Sequence, residues 1–350
     1  MVAGAVAAAL LGFLWLRNRN APEAPLRPVP EASPRPQAAG FTGKILVRLP
    51  DDDAPHTAFM EWWYYNSHLR AEDGREFSFH YVTFLVNSVI PATIAQISLL
   101  DHQTGRRYSH QKQTPGNPSA GSRQGFRFAL GDWSMAGSNG QDRLKLAAPD
   151  LAFDLRVSHA GPTVFQGGTG LLDFGDAGTS YYYSRPRMSL EGTLTLEGRA
   201  VPVRGQSWFD HQWGDFQPLR LGWDWFSLQL EDGADVMLYR LYDRQRRLVL
   251  ASGTYTRDGA TEVLGEQDFN AQPLGSWRSP GTGTEYTTAW KLAIPRHGIA
   301  LELRPVVQDC EFDARDTSLL LYWEGAVKLS GSHRGRGFQE ICPPKPAPAR

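Results

Sequence analysis

From about residue 41 onward, apolar and polar positions alternate in short runs separated by Gly, Asn, Asp and Pro, the spacing of antiparallel strands covered on one face or both. The runs predict strands at 60–69, 76–86, 93–100, 125–130, 143–147, 151–157, 179–183 and 188–196. A second set is predicted at 223–230, 235–242, 248–256, 285–294, 299–303 and 319–329. No window of a dozen residues past Leu16 shows a 3.6-residue apolar period, so helices are expected to be few and short. The pattern predicts an all-β protein.

The run at 60–69 leads through Glu72-Asp73-Gly74 into its return strand, an aromatic hairpin about an Asp-Gly turn. Trp62, Tyr64, Asn66 and His68 share one face; Glu61, Trp63, Tyr65 and Ser67 share the other. Both faces carry aromatics, so the hairpin is covered on both sides or one side lines a cavity. Trp223-Asp224-Trp225-Phe226-Ser227 into Glu231-Asp232-Gly233 echoes it, and the strands holding His80 and Tyr239 occupy equivalent return positions. An echo at so long a period fits a duplicated barrel better than a solenoid. Two barrels of about eight strands each would use the length well, each large enough to hold one small ligand.

The 350 residues contain 35 glycines and 24 prolines, in keeping with strands and turns. A net charge of −1 without a Lys/Arg block gives no reason to expect nucleic acid, and Arg244, Arg246 and Arg247 read as a solvated turn. Residues 2–16 are apolar and precede Arg17 and Arg19. As a helix they would span roughly 22 Å, short of a bilayer core of about 30 Å, so 1–20 is expected to be an export signal or short anchor. That implies a periplasmic or secreted location. The Pro/Ala-rich stretch 21–40 reads as a linker, followed by barrels at 41–200 and 201–342 and a tail at 343–350. The two cysteines, Cys310 and Cys342, are either free thiols or a bridge contributing about 3.7 kcal/mol by the chain-entropy formula. Their spacing does not suggest zinc, and neither a metal nor an organic cofactor is signalled.

Candidate chemistry concentrates in Gly205-Gln206-Ser207-Trp208-Phe209-Asp210-His211-Gln212-Trp213-Gly214. In an extended strand Trp208, Asp210 and Gln212 point one way while Ser207, His211 and Trp213 point the other. A local Ser-Asp-His triad is therefore disfavoured, and the second glycine of a nucleophile elbow is missing. A carboxylate and an imidazole set in aromatic surface suit acid–base work on an apolar substrate.

Asp210-His211-Gln212-Trp213-Gly214, with Glu61-Trp62-Trp63-Tyr64 and Tyr322-Trp323-Glu324-Gly325, resembles the family of carotenoid 1,2-hydratases and bacterial AttH-like proteins. The resemblance implies two tandem lipocalin-like barrels and, in some members, hydration of an isoprenoid double bond. It implies catalytic roles for His211 and Trp213, and it matches the hydratase tyrosine with Tyr239. The hydratase aspartate has no counterpart, since Leu241 stands two residues on and Asp243 is further displaced. Asp210 and Glu61 complete the candidate catalytic set; Trp63, Tyr65, His80, Trp208, Trp225 and Glu324 are candidate ligand contacts.

Two functions follow. One is a hydro-lyase, or an isomerase or cyclase of related chemistry, acting on an isoprenoid- or lipid-like molecule. The other is a non-catalytic carrier serving a membrane transporter of the ABC type, with the same aromatics lining a pocket. A carboxylate or imidazole projecting into a ligand-sized cavity favours the enzyme; polar groups bonded away at the rim favour the carrier. A scaffold with both barrels filled is the third possibility.

Overall fold

The structure is a computed structural model that describes residues 43–117 and 125–345. The expected signal or anchor and the linker lie outside the described residues. Among the described residues no helix is long and apolar enough to cross a membrane.

The chain is almost entirely antiparallel β-structure arranged as two curled sheets, the tandem lipocalin-like architecture. The first sheet holds β1 (Met60–Ala71), β2 (Glu76–Val86), β3 (Ala92–Asp101), β4 (Arg107–Pro115), β5 (Phe126–Leu130) and β6 (Trp133–Ser138). It continues with β7 (Gln141–Ala147), β8 (Leu151–Ser158), the short β9 (Val164–Phe165) and β10 (Leu171–Asp173), β11 (Gly178–Leu196) and β12 (Arg199–Phe216). The second sheet holds β13 (Gly222–Leu230), β14 (Asp235–Tyr242), β15 (Leu248–Arg257), β16 (Ala260–Gly265) and β17 (Asn270–Arg278). Its remaining strands are β18 (Glu285–Ile294), β19 (Ile299–Pro305), β20 (Glu311–Ala314), β21 (Leu320–Gly331) and β22 (Gly335–Cys342).

Strand order confirms the duplication. The first sheet runs β4-β3-β2-β1-β12-β11 and the second β16-β15-β14-β13-β22-β21, so each opening hairpin is closed by its own last long strand. The expected barrel boundary at residue 200 is corrected by this pairing. β12 pairs with β1 from Met60↔Gly214 to Ala71↔Val203, so the motif strand closes the first barrel instead of starting the second. The hand-over falls at 217–221.

β11 unites two predicted strands. Its register with β12 shifts between Arg185 and Met188, where Pro186 cannot donate to the ladder and Arg187 takes φ 54°. The bulge sends Arg187 across to the second barrel, where Nε sits 2.9 Å from Asp235 and Nη2 donates to Leu230 O.

The core has three main parts. Inside the first barrel Trp63, Tyr65, Phe209 and Trp213 pack with Phe77, Phe79 and Phe128. Inside the second lie Phe226, Leu228, Tyr286, Trp290 and Trp323. Between the barrels the outer faces of equivalent strands meet: Tyr64, Tyr182 and Trp208 against Trp225, Tyr239 and Phe338. β1 is thus aromatic on both faces because both are covered, each large side chain removed from water contributing about 1.5–3 kcal/mol. Cys310 and Cys342 are buried, unpaired thiols.

Candidate active site

A cavity of about 330 Å³ opens between the two barrels, where outer strand faces meet short of full contact. The expectation of a hollow inside a barrel is corrected accordingly: the space lies outside both barrels and is roofed by each. Its size suits one small ligand. Register builds its walls. In the first sheet Tyr64 stands between Val82 and Asp210, and Trp62 between Phe84 and Gln212. In the second, Trp225 stands between Tyr239 and Glu340, with Glu324 next beyond Glu340. Tyr64 faces Asp210 in one copy as Trp225 faces Glu340 in the other, so the duplication supplies a carboxylate opposite an aromatic twice.

Asp210 is buried and saturated. Oδ1 accepts from Ser184 Oγ (2.6 Å) and Trp208 Nε1 (2.7 Å), and Oδ2 accepts from Tyr182 Oη (2.7 Å). Burial pushes its carboxyl up to about 6, with these three donors restraining the rise. Tyr182 Oη accepts in turn from Trp225 Nε1 at 3.0 Å, tying the barrels together.

Glu324 accepts a short hydrogen bond from Tyr64 Oη. Its Oε2 lies 3.2 Å from His80 Nδ1. Burial, with the neighbouring Glu340 charge, raises the Glu324 carboxyl well above its ordinary value, and burial lowers His80 to about 3. His80 is thus neutral at neutral pH, and burial favours the protonated form of Glu324. Glu340 differs. Its Oε1 accepts from Trp223 Nε1 at 3.0 Å, it is only half-buried, and it lines the cavity. Burial pushes it up to about 7, with the Trp223 bond opposing and the charge of Asp210 adding to the rise. Burial likewise keeps the Tyr239 phenol neutral.

The opposite face of the motif strand meets the first barrel's packed interior. His211 is fully buried, its ring centroid 4.3 Å from that of Trp63 and 4.7 Å from that of Trp213. Its Nε2 lies 2.8 Å from Glu61 Oε1, and His56 Nδ1 reaches the same oxygen at 2.7 Å. The His56 ring stacks on Trp213 at 4.1 Å. Burial holds His211 below its ordinary value, whereas Glu61, despite burial, is held below its own by the His211 and His56 hydrogen bonds. The pair is best described as neutral imidazole and carboxylate. His56, Glu61 and His211 offer ligand atoms within 4.8 Å of one another, a set with the composition of a two-His, one-carboxylate metal site. The expectation that no metal set exists meets this exception, although the three groups are already bonded among themselves.

Residues 41–342, most of the chain, match the family described as AttH-like. The chain belongs to the AttH-like family. It is 22% identical over 317 positions, 85% of each chain, to kievitone hydratase of Fusarium solani subsp. phaseoli. The solved structure of an AttH candidate from Nitrosomonas europaea superposes with TM-score 0.77 at 26% identity, covering 88% of this chain and all of that one. Kievitone hydratase from Nectria haematococca gives TM-score 0.71 at 20% identity, over 88% of this chain and 96% of its own.

Of the residues singled out from the AttH-like motifs, Asp210, Tyr239, Trp225 and Glu324 line the cavity together. Trp208 and His80 stand behind them, each touching a cavity carboxylate or its neighbour. His211, Trp213, Glu61, Trp63 and Tyr65 sit in or against the first barrel's core, outside the cavity wall. The expectation that His211 and Trp213 share a hollow is corrected by the pleat: Asp210 and His211 are adjacent, and Asp210 is the one that faces the space. Glu340 was not among the predicted residues. Carrying the internal echo from the opening hairpins to the closing strands would have paired it with Asp210.

Proposed function

We propose that this AttH-like protein is a hydratase that adds water across a carbon–carbon double bond of an apolar substrate held between the barrels, with Glu340 as the proton donor. The observation that carries this reading is the half-buried Glu340 carboxyl, pushed up to about 7, which accepts from Trp223 and faces an aromatic cavity. Family membership and the kievitone hydratase likeness support the reaction class.

Glu340 transfers its proton to one alkene carbon. The cation on the other carbon is faced by the indoles of Trp62, Trp223 and Trp225, a cation–π contribution of about 2 kcal/mol in a desolvated site. Water then bonds to that carbon, and the oxonium proton returns to the Glu340 carboxylate, so the catalyst is regenerated and only water is consumed. Burial favours the protonated forms of Glu324 and Tyr239 in the same space, which limits the anionic charge opposing ionisation of Glu340. Asp210, saturated by three donors, provides fixed negative charge near the developing cation. Apolar walls at Val82, Phe84, Leu221 and Leu241 limit water to what the reaction uses.

The test is incubation of purified protein with terpenoid and prenylated-phenol alkenes in heavy-oxygen water, followed by mass spectrometry. Labelled alcohol that depends on the protein supports the proposal. Saturable binding without label would assign a carrier instead. Export, with attachment through residues 2–16, is proposed from the apolar run alone; cell fractionation of the full chain tests it.

A further inference from the structure

One charged cavity residue takes no part in the chemistry above. Arg244, read from sequence as part of a solvated turn, lines the space between the barrels. Its Nη2 makes a long bond of 3.3 Å to Leu219 O, while its Nε is buried without a partner. Among the described residues no carboxylate lies within ion-pair distance of it. Its neighbour Asp243 is engaged elsewhere, with Oδ2 2.7 Å from Arg247 Nε and Oδ1 accepting from the backbone of Gln245 and Arg247. The other charges felt at this end have the same sign. Arg220 repels the Arg244 guanidinium, and Arg244 repels Lys345, whose Nζ bonds Leu319 O beside the lining residues Ser318 and Leu320. A buried donor and an uncompensated guanidinium are costly to maintain. They become favourable when an anion completes them, and the guanidinium fork matches the paired oxygens of a carboxylate or phosphate.

We infer that the cavity takes an amphipathic anion, an apolar chain bearing a carboxylate or phosphate head that Arg244 binds while the chain lies along the aromatic wall. The inference rests on the reading of this cavity as the ligand site and adds the polarity of what enters it. The head group at Arg244 would orient the chain, so that one double bond is presented to Glu340 rather than any of several.

Equilibrium titration with three saturated probes separates binding from turnover: dodecanoic acid, dodecyl phosphate and dodecanol, followed by the emission of the cavity tryptophans Trp62, Trp223 and Trp225. Expected is tenfold or tighter binding of at least one anion over the alcohol, and the better anion identifies the head group. Arg244→Gln should abolish the preference while leaving dodecanol affinity unchanged, and Arg244→Lys should restore part of it. Equal binding of all three by the natural protein, or a preference that survives Arg244→Gln, overturns the anion subsite and leaves the cavity as ligand site standing. Failure of all three to bind overturns both.

Discussion

Replacing Glu340 by Gln removes an acidic proton and little else. Glutamine has nearly the same volume, and its carbonyl can keep the 3.0 Å bond from Trp223 Nε1, so neither the cavity wall nor the closing strand should move. A positioned general acid contributes about 10²–10⁴ in rate, so turnover of a hydratable alkene should fall by that factor, or about 2.7–5.5 kcal/mol of barrier. Affinity for a saturated ligand should change by less than about threefold, since glutamine presents the same surface. The pH profile supplies a second, independent readout. The protonated Glu340 carboxyl is the active form and sits at about 7, so the rate should be lost as pH rises through neutrality, while a separate decline on the acid side, near 6, follows protonation of Asp210. Stability has the same sign: the folded value lies above the unfolded one, so the contribution is fully present below about 4.5 and disappears as pH rises through about 7. Glu340→Gln should remove the descent near 7 from the rate profile and lessen the slope of the stability profile there, other raised carboxyls such as Asp210 remaining. The assay is initial rate by product chromatography from about pH 5 to 9, with urea unfolding over the same range. A variant retaining turnover within about threefold, or a natural profile with no descent near neutrality, would refute Glu340 as the donor.

Three further outcomes follow from the packing. His211→Ala should act as a core deletion, leaving Glu61 with one histidine partner and a void between Trp63 and Trp213. We expect a loss of about 3–5 kcal/mol in chemical unfolding with cavity affinity preserved in the folded fraction; unchanged stability with lost turnover would restore a direct catalytic role. Gly205→Ala should be destabilising by about 1–3 kcal/mol or more, because its Cβ would lie 1.9 Å from His68 O, a rigid backbone atom; an unchanged melting temperature contradicts this. Cys310 and Cys342 are unpaired and buried, and burial pushes the Cys310 thiol up to about 12. Ellman's reagent should titrate neither thiol in the native protein and both after unfolding without reductant, whereas a silent unfolded protein would reveal a disulfide.

How far these features can be read from sequence depends on whether each is local. Alternation along 207–213 correctly separates Asp210 and Gln212 from His211 and Trp213, because the pleat is a property of the strand itself. It cannot say which face meets packed interior, since β1 and β12 carry aromatics on both. That choice is made by contacts far away in sequence, such as Tyr64 with Glu324 and Trp225 with Tyr182. Most long buried strands announce themselves, the glycine-broken Gly335–Cys342 excepted; Arg107–Pro115, Ala260–Gly265 and Asn270–Arg278 do not, because strands near sheet ends are largely solvent-facing and carry little apolar pattern. Arg244 in a polar turn and Glu340 in Phe338-Gln339-Glu340-Ile341 look like ordinary surface positions by the same local measure. What does carry the information is the duplication. If two copies of one barrel pack by the outer faces of their equivalent strands, any carboxylate opposite an aromatic in the first copy has a counterpart in the second that faces it across the contact. Asp210 beside Tyr64 therefore points to Glu340 beside Trp225, and the acid that among the described residues has a single indole partner is the one free to react.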